Sequence, residues 1–244
     1  MNTEHAERNI PSHVTAFLTI DDVPSKNLPE IVSYLEEKGI QAILFAIGEK
    51  LEENRQEAVE ALRHGMILGN HSYSHPHFSE LSLEAGIAEF DRCEELLDRV
   101  YDEAGIERRY RPFRFPYGDK GGACRAELQT YLRESGVSKV EDARLSSPWW
   151  KENGLDRDVD TFWTFDFAEY RIRPGSEFTE EDVFKRIHDP APETGMPLLE
   201  KGSAHLILLH AHDETEALLP GYYRLFLDHL LENGVRFAPP VFRM

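Results

Sequence analysis

The sequence predicts an α/β domain, a mostly parallel sheet with helices packed over it. Two observations carry that expectation. Short apolar runs alternate with amphipathic stretches of helical period along nearly the whole chain, the pattern that feeds successive parallel strands through covering helices. Polar, chemistry-bearing residues fall repeatedly at or just past the C-terminal ends of the apolar runs. No repeat, low-complexity tract or linker divides the chain, so residues 1–244 read as one domain. The domain reads as closer to a barrel than to an open sheet, although periodicity alone does not separate those shapes.

The elements follow in order. Val14-Thr15-Ala16-Phe17-Leu18-Thr19-Ile20 is the first expected strand, ending at Asp21-Asp22. Leu28, Ile31, Val32 and Leu35 keep helical spacing up to Lys38, and Gly39 supplies the stop, since glycine closes a helix in the left-handed conformation without steric cost. Ala42-Ile43-Leu44-Phe45-Ala46 is a second, buried strand, and Leu51 to His64 a helix with a charged outer face, closed by Gly65. Met66-Ile67-Leu68 reads as a third strand. Leu83 to Ala104 is a long helix, with Ile87, Phe90, Leu96, Leu97 and Val100 on its apolar side.

Arg111 to Gly118 reads as a short strand ending in a turn, and Ala123 to Glu134 as a helix stopped near Gly136. Val137 to Asp160 shows little periodicity, with Ser146-Ser147-Pro148-Trp149-Trp150 expected as an irregular loop. Thr161 to Phe165 is a strand running into Asp166. Thr179 to His188 is a helix with Thr179 as its cap, and Pro190 to Gly202 a loop. Leu206-Ile207-Leu208-Leu209 is a buried strand ending at His210. Leu219 to Glu232 is a helix, stopped by Asn233-Gly234, and Val235-Arg236-Phe237 the last strand.

Composition narrows the function. A formal net charge of −18 repels phosphate backbones and anionic membranes, which argues against nucleic acid as a partner; the same charge also serves solubility. Cys93 and Cys124 lie far apart, in no metal-type spacing, and are expected as free thiols. Met1-Asn2-Thr3-Glu4-His5-Ala6-Glu7-Arg8 shows no basic stretch followed by an apolar one, and no apolar run is long enough to span a bilayer. A cytoplasmic protein with no membrane segment is therefore the expectation. Oligomeric state is not legible.

The chemistry is concentrated in Gly69-Asn70-His71-Ser72-Tyr73-Ser74-His75-Pro76-His77, just past the third strand. Histidine is the commonest protein ligand for transition metals, and two close in sequence can share one ion. Asp21-Asp22, Arg114, Asp166, Glu169 and His210 also sit at strand ends, which converge on one face of a parallel barrel. One aspartate and two histidines leave coordination positions open, as catalytic zinc requires. A neighbouring aspartate can take a proton from water, a histidine on another strand can protonate a leaving group, and Arg114 can hold the base. That set describes hydrolysis of an amide or ester. Two histidines and a carboxylate also suit ferrous iron, but Asp21 and His210 beside them fit hydrolysis better.

These residues resemble the motifs of the polysaccharide deacetylases of the NodB-homology type, carbohydrate esterase family 4. Thr19-Ile20-Asp21-Asp22 resembles the family's T-F-D-D. His71-Ser72-Tyr73-Ser74-His75 matches its H-[ST]-x-x-H, Arg114-Phe115-Pro116-Tyr117 its R-x-P-Y and Leu208-Leu209-His210 its L-x-H. Asp166-Phe167-Ala168-Glu169-Tyr170 resembles its D-x-x-D-W loosely. The resemblance implies a distorted (β/α) barrel of about seven strands. It implies metal ligands Asp22, His71 and His75, with zinc as the usual ion and cobalt or nickel accepted.

It further implies Asp21 as general base, His210 as general acid, Arg114 as the group orienting Asp21, and the Tyr117 backbone N–H as an oxyanion donor. Either Asp166 or Glu169 would tune His210, depending on register. Ile20 and Val23 depart from the family pattern tolerably. Trp149-Trp150 reads either as the wall of a sugar groove or as an anchor under a loop. His77 and His212 read as supporting or surface groups. The implied substrate is an N-acetylated, or less readily an O-acetylated, carbohydrate. Small linear or cyclic amides are the alternative, and a non-catalytic carbohydrate-binding relative is a further one.

Overall fold

The computed structural model describes residues 13–142, 145 and 148–243. Its sheet comprises β1 (Val14–Val23), β2 (Ala42–Ala46), β3 (Ile67–Asn70), β4 (Phe165–Asp166), β5 (Ala204–His210) and β6 (Val235–Phe237). The order is β3-β2-β1-β5-β4, with β6 beside the start of β1, and every pairing among these strands is parallel. Leu18, in the centre, is in register with Ala42 on one side and Ile207 on the other.

Irregular backbone joins the two edges of the sheet. Asn70 at the end of β3 forms a parallel bridge to Phe113. The Thr161 N–H then donates to the Phe113 carbonyl at 2.8 Å, and the chain from Thr161 leads directly into β4. The hydrogen-bonded circuit is therefore complete, but the described residues hold six strands rather than about seven. The expected strand over Arg111–Gly118 is reduced to the bridge at Phe113. Pro112 and Pro116 flank it, and proline has no N–H to donate to a ladder. The expected strand over Thr161–Phe165 likewise shortens to Phe165–Asp166.

Helices cover the sheet. α1 (Leu28–Lys38) ends at Gly39 with φ 66°, as expected. The expected helix over Leu51–His64 divides into α2 (Gly48–Glu53) and α3 (Arg55–Arg63), broken where Asn54 turns non-helical. α4 (Leu83–Ala104) is capped by the Ser82 side chain, which accepts from the Ala85 N–H; it buries Phe90, Cys93, Leu96, Leu97 and Val100. α5 (Arg125–Glu134) follows, and α6 (Pro148–Glu152) occupies part of the expected irregular loop, of which Ser146 and Ser147 lie outside the described residues. α7 (Glu180–Ile187) opens on a capping box between Thr179 and Asp182. α8 (Asp213–Leu218) was not legible, and α9 (Tyr222–Glu232) begins after Gly221. Cys93 and Cys124 are both free. Among the described residues, no helix is long and apolar enough to cross a membrane.

One difference bears directly on the site. β1 does not stop before the two aspartates but carries them to Val23. Its register with β2 shifts between Ile20 and Val23, and Asp22 takes a φ of 64°. An irregularity of this kind re-aims a side chain at a sheet rim, so two adjacent carboxylates can both serve one site.

Candidate active site

The histidine loop is placed by its lead-in. A Cβ on Gly69 would lie 2.8 Å from the Phe45 ring and 2.9 Å from the Pro112 carbonyl oxygen, so only glycine fits there. The buried Asn70 side chain donates to the Phe90 carbonyl and to Glu94, and accepts from the Ser72 N–H at 2.8 Å. Its two ends thus tie the loop to α4 and start the turn that presents His71 and His75.

The structure brings Asp22, His71 and His75 together, their ligand atoms all within 4.8 Å of one another. Oδ1 of Asp22 lies 3.3 Å from His75 Nε2 and 3.7 Å from His71 Nε2. His71 Nδ1 is 2.8 Å from the Arg114 carbonyl. A carbonyl only accepts, so Nδ1 carries a proton and Nε2 is the ring nitrogen turned toward the carboxylate. Burial, helped by the neighbouring His71, lowers the His75 imidazole to about 4, leaving it neutral and able to ligate.

Burial opposes the charge on Asp22, but the His212 hydrogen bond and the imidazoles of His210, His71 and His75 outweigh it and hold the carboxyl well below the usual range. Its Oδ1 is buried and has no hydrogen-bond partner. A buried acceptor left bare costs free energy unless something fills its place. That atom, facing two imidazoles, fits a divalent cation of the zinc type.

Asp21 stands beside this group. Arg114, fully buried, donates from Nη1 to Asp21 Oδ1 at 2.7 Å and to Thr19 Oγ1 at 2.9 Å, and from Nε to the Thr161 carbonyl at 3.0 Å. Asp21 Oδ2 is 3.4 Å from His71 Nε2. One carboxylate oxygen is thus clamped and the other is turned toward the cation site.

His210 approaches from β5. Its Nδ1 is 3.1 Å from Glu169 Oε1, and the same oxygen accepts the His210 backbone N–H at 2.6 Å. Burial pulls the imidazole down. Glu169, through charge and hydrogen bond, and then Asp166 and Asp22, override it and raise His210 to about 10. Between the two acids that the sequence leaves open, Glu169 makes the contact. Asp166 accepts from the Ala168 N–H at 2.7 Å, and burial together with Glu169 pushes it up to about 6. Tyr170 sets its ring edge-on to His210 at 4.7 Å.

Tyr117 lies across the site with φ 57°, half-exposed, its ring stacked on His77 at 4.0 Å and edge-on to His75 at 4.5 Å. Among the described residues, the non-glycine residues with positive φ are Asp22, Ser72, His75, Tyr117 and Ala168. Every one belongs to this site or adjoins one of its groups.

A cleft of about 510 Å³ opens beside Asp166, its lining including Trp149, Phe162, Trp163 and Arg186. Phe162 and Trp163 stack at 4.1 Å, and the Arg114 guanidinium lies 5.5 Å from the Trp163 ring. The tryptophan pair divides. Trp149 lines the cleft, whereas Trp150 is buried in the core with its Nε1 donating to Asp142. Sequence reading did not reveal the Tyr222 hydroxyl, which donates to the His210 carbonyl and is 3.3 Å from the His212 N–H. Nor did it reveal that His212 Nε2 reaches Asp22 Oδ2. The available signal was spacing, since alternate residues of an extended run face the same way.

The model of the polysaccharide deacetylase family matches residues 9–136, just over half of the chain. The chain belongs to that family. It is 30% identical over 103 residues to a peptidoglycan-N-acetylglucosamine deacetylase of Bacillus cereus, a match covering 42% of this chain and 36% of the relative. It is 25% identical over 195 residues to the peptidoglycan-N-acetylmuramic acid deacetylase PdaC of Bacillus subtilis, covering 79% of this chain and 37% of the relative. The chain thus spans under two-fifths of the length of these curated relatives. The solved structure of a chitin deacetylase from Colletotrichum lindemuthianum superposes with a TM-score of 0.64 at 18% identity, over 95% of this chain and 86% of that one. That likeness concerns the fold. Glu169 and Tyr170 lie beyond the residues that the family model matches. The geometry shows Glu169 reaching His210 despite its extra methylene.

Proposed function

We propose that this chain is a metal-dependent hydrolase that removes acetyl groups from N-acetylated sugars. The observation that carries the reading is the Arg114 clamp on Asp21, 2.7 Å long and fully buried. It holds one free carboxylate oxygen beside a group suited to a divalent cation. A cation held by Asp22, His71 and His75 supplies Lewis acidity toward water and the acyl oxygen.

The remaining steps belong to the chain. Asp21 accepts the proton of the attacking water, whose oxygen adds to the acyl carbon. The Tyr117 backbone N–H serves as donor to the oxygen that gains charge there. His210, kept protonated by Glu169, delivers a proton to the sugar nitrogen as the C–N bond breaks. Acetate and a free amine result. The aromatic cleft beside Asp166 supports a sugar as substrate, since ring faces of Trp149, Phe162 and Trp163 suit the apolar faces of pyranoses.

Acetate release tests the proposal. The protein is stripped with chelator, reloaded with zinc or cobalt, and offered N-acetylglucosamine oligomers, acetylated xylan and a panel of small amides. Metal-dependent acetate from the N-acetylated oligomers is the expected result. Release from xylan alone would move the reaction to ester cleavage. Turnover confined to small amides, or metal binding with no turnover, would overturn the reading.

A further inference from the structure

His212 lies in a part of the site to which the reaction above assigns no task. β5 ends at His210, but the chain continues extended through His212, with φ −106° and ψ 121°. The Ala211 N–H donates to the Asp21 carbonyl at 3.0 Å, and the His212 N–H is 3.3 Å from the buried Tyr222 hydroxyl. The His212 backbone is therefore fixed against both β1 and α9. Its ring lies 5.3 Å from that of His210, and its Nε2 meets Oδ2 of Asp22. An ionised carboxylate only accepts, so His212 Nε2 is the donor.

Asp22 needs such a fixture. Its φ of 64° is a conformation that non-glycine residues rarely take, and a short side chain there has alternative rotamers. Its backbone carbonyl is held by Lys50 Nζ at 2.7 Å, but that bond does not orient the carboxyl. The two carboxylate oxygens are in different circumstances: Oδ2 is taken by His212, and Oδ1 is bare and faces His71 and His75.

We infer that His212 is a positioning residue for the metal-binding carboxylate, acting through its hydrogen bond to Oδ2 so that Asp22 presents Oδ1 alone to the cation. Two consequences follow. The cation is bound more tightly, because the ligand is already oriented. With Oδ2 engaged by His212, a cation there would be held through Oδ1 alone. The inference rests on the reading of Asp22, His71 and His75 as a cation site, and it adds a residue outside the motifs of that site.

The test is metal binding by the whole protein, without turnover. Zinc affinity is measured by competition against a chromophoric chelator, and the visible spectrum of the cobalt form is recorded, for wild type, His212→Ala and His212→Gln. Far-UV circular dichroism confirms that each is folded. His212→Ala should bind zinc about 10–100-fold more weakly, the usual loss when a ligand's hydrogen-bond partner is removed, and its cobalt spectrum should change. His212→Gln, which keeps an N–H donor, should recover most of the affinity. Wild-type affinity and spectrum in folded His212→Ala would overturn the inference, as would a folded Gln variant as weak as the Ala one. Failure of the wild-type chain to bind zinc or cobalt would defeat the cation site itself, a result distinguishable from either.

Discussion

Asp21 and His210 are register partners across β1 and β5. Partners in adjacent parallel strands project to the same side of a sheet, so the proposed base and acid flank one reaction volume from neighbouring strands. Each is held by its own buried counter-charge, Arg114 for Asp21 and Glu169 for His210. Asp21→Asn should keep the metal site and lower kcat by ~10²–10⁴-fold, the usual worth of a general base. Steady-state kinetics on the metal-loaded variant checks this, and near-normal turnover would remove Asp21 from the role.

His71→Ala should lose cation binding and activity together, because one of two imidazole ligands disappears and its Nδ1 anchor on the Arg114 carbonyl goes with it. Equilibrium dialysis against zinc is the direct measurement. Full-strength binding in this variant would contradict the ligand assignment.

Glu169 governs a pH dependence. Folded His210 holds its proton up to about pH 10, whereas the unfolded chain releases it near the ordinary value of 6.5. The folded state therefore binds more protons between those values. The stability this supplies is complete below about pH 6.5 and drains away as pH rises through about 10. Urea midpoints of metal-free protein between pH 6 and 10.5 should show that decline. Glu169→Gln should be less stable at the acid end and flatter across the range. In the loaded enzyme, the alkaline limb of kcat should move to lower pH in the same variant.

Gly69→Ala should destabilise the protein by roughly 1–3 kcal/mol, the usual cost of overpacking, because the new methyl would overlap both the Phe45 ring and the Pro112 carbonyl oxygen. Thermal denaturation measures it. An unchanged midpoint would mean that β3 shifts easily, and the histidine loop with it.

Trp149→Ala should raise KM for oligosaccharides about five-fold, matching roughly 1 kcal/mol of aromatic contact, with kcat on small acetyl substrates unaltered. The comparison of long and short substrates isolates the cleft from the reacting groups. Equal effects on both would place Trp149 in the structural frame alongside Trp150.

The regular parts of the fold were legible because their signals are local. β2, α1 and α4 follow from apolar spacing and glycine stops, and their bounds agree with the sequence reading. β1 was cut short because carboxylates read as a strand end, whereas a bulge allows two of them to continue the strand. The helix before Gly65 divides at Asn54, where hydrophobic spacing carries no mark of the break. The Arg111–Gly118 segment is placed by bonds to Asn70 and Thr161, partners far away in sequence.

The same division holds for the site. The motif residues were legible, and the structure brings them together. The choice between Asp166 and Glu169 was not legible, since both acids lie close to His210 and only the folded backbone, left-handed at Ala168 between them, shows Glu169 making the hydrogen bond. The His212–Asp22 and Tyr222–His210 pairs join residues that no short pattern connects.

The left-handed residues around the site have a consequence for behaviour on heating. Asp22, Ser72, His75, Tyr117 and Ala168 each hold a backbone conformation that costs on the order of 1–2 kcal/mol for an L-residue. Four of these residues lie in loops and turns and Asp22 at the irregular end of β1, while the rest of the buried sheet is regular. Warming should therefore release the turns first. Inactivation would precede melting, and a preparation that looks native by circular dichroism could already have lost its chemistry.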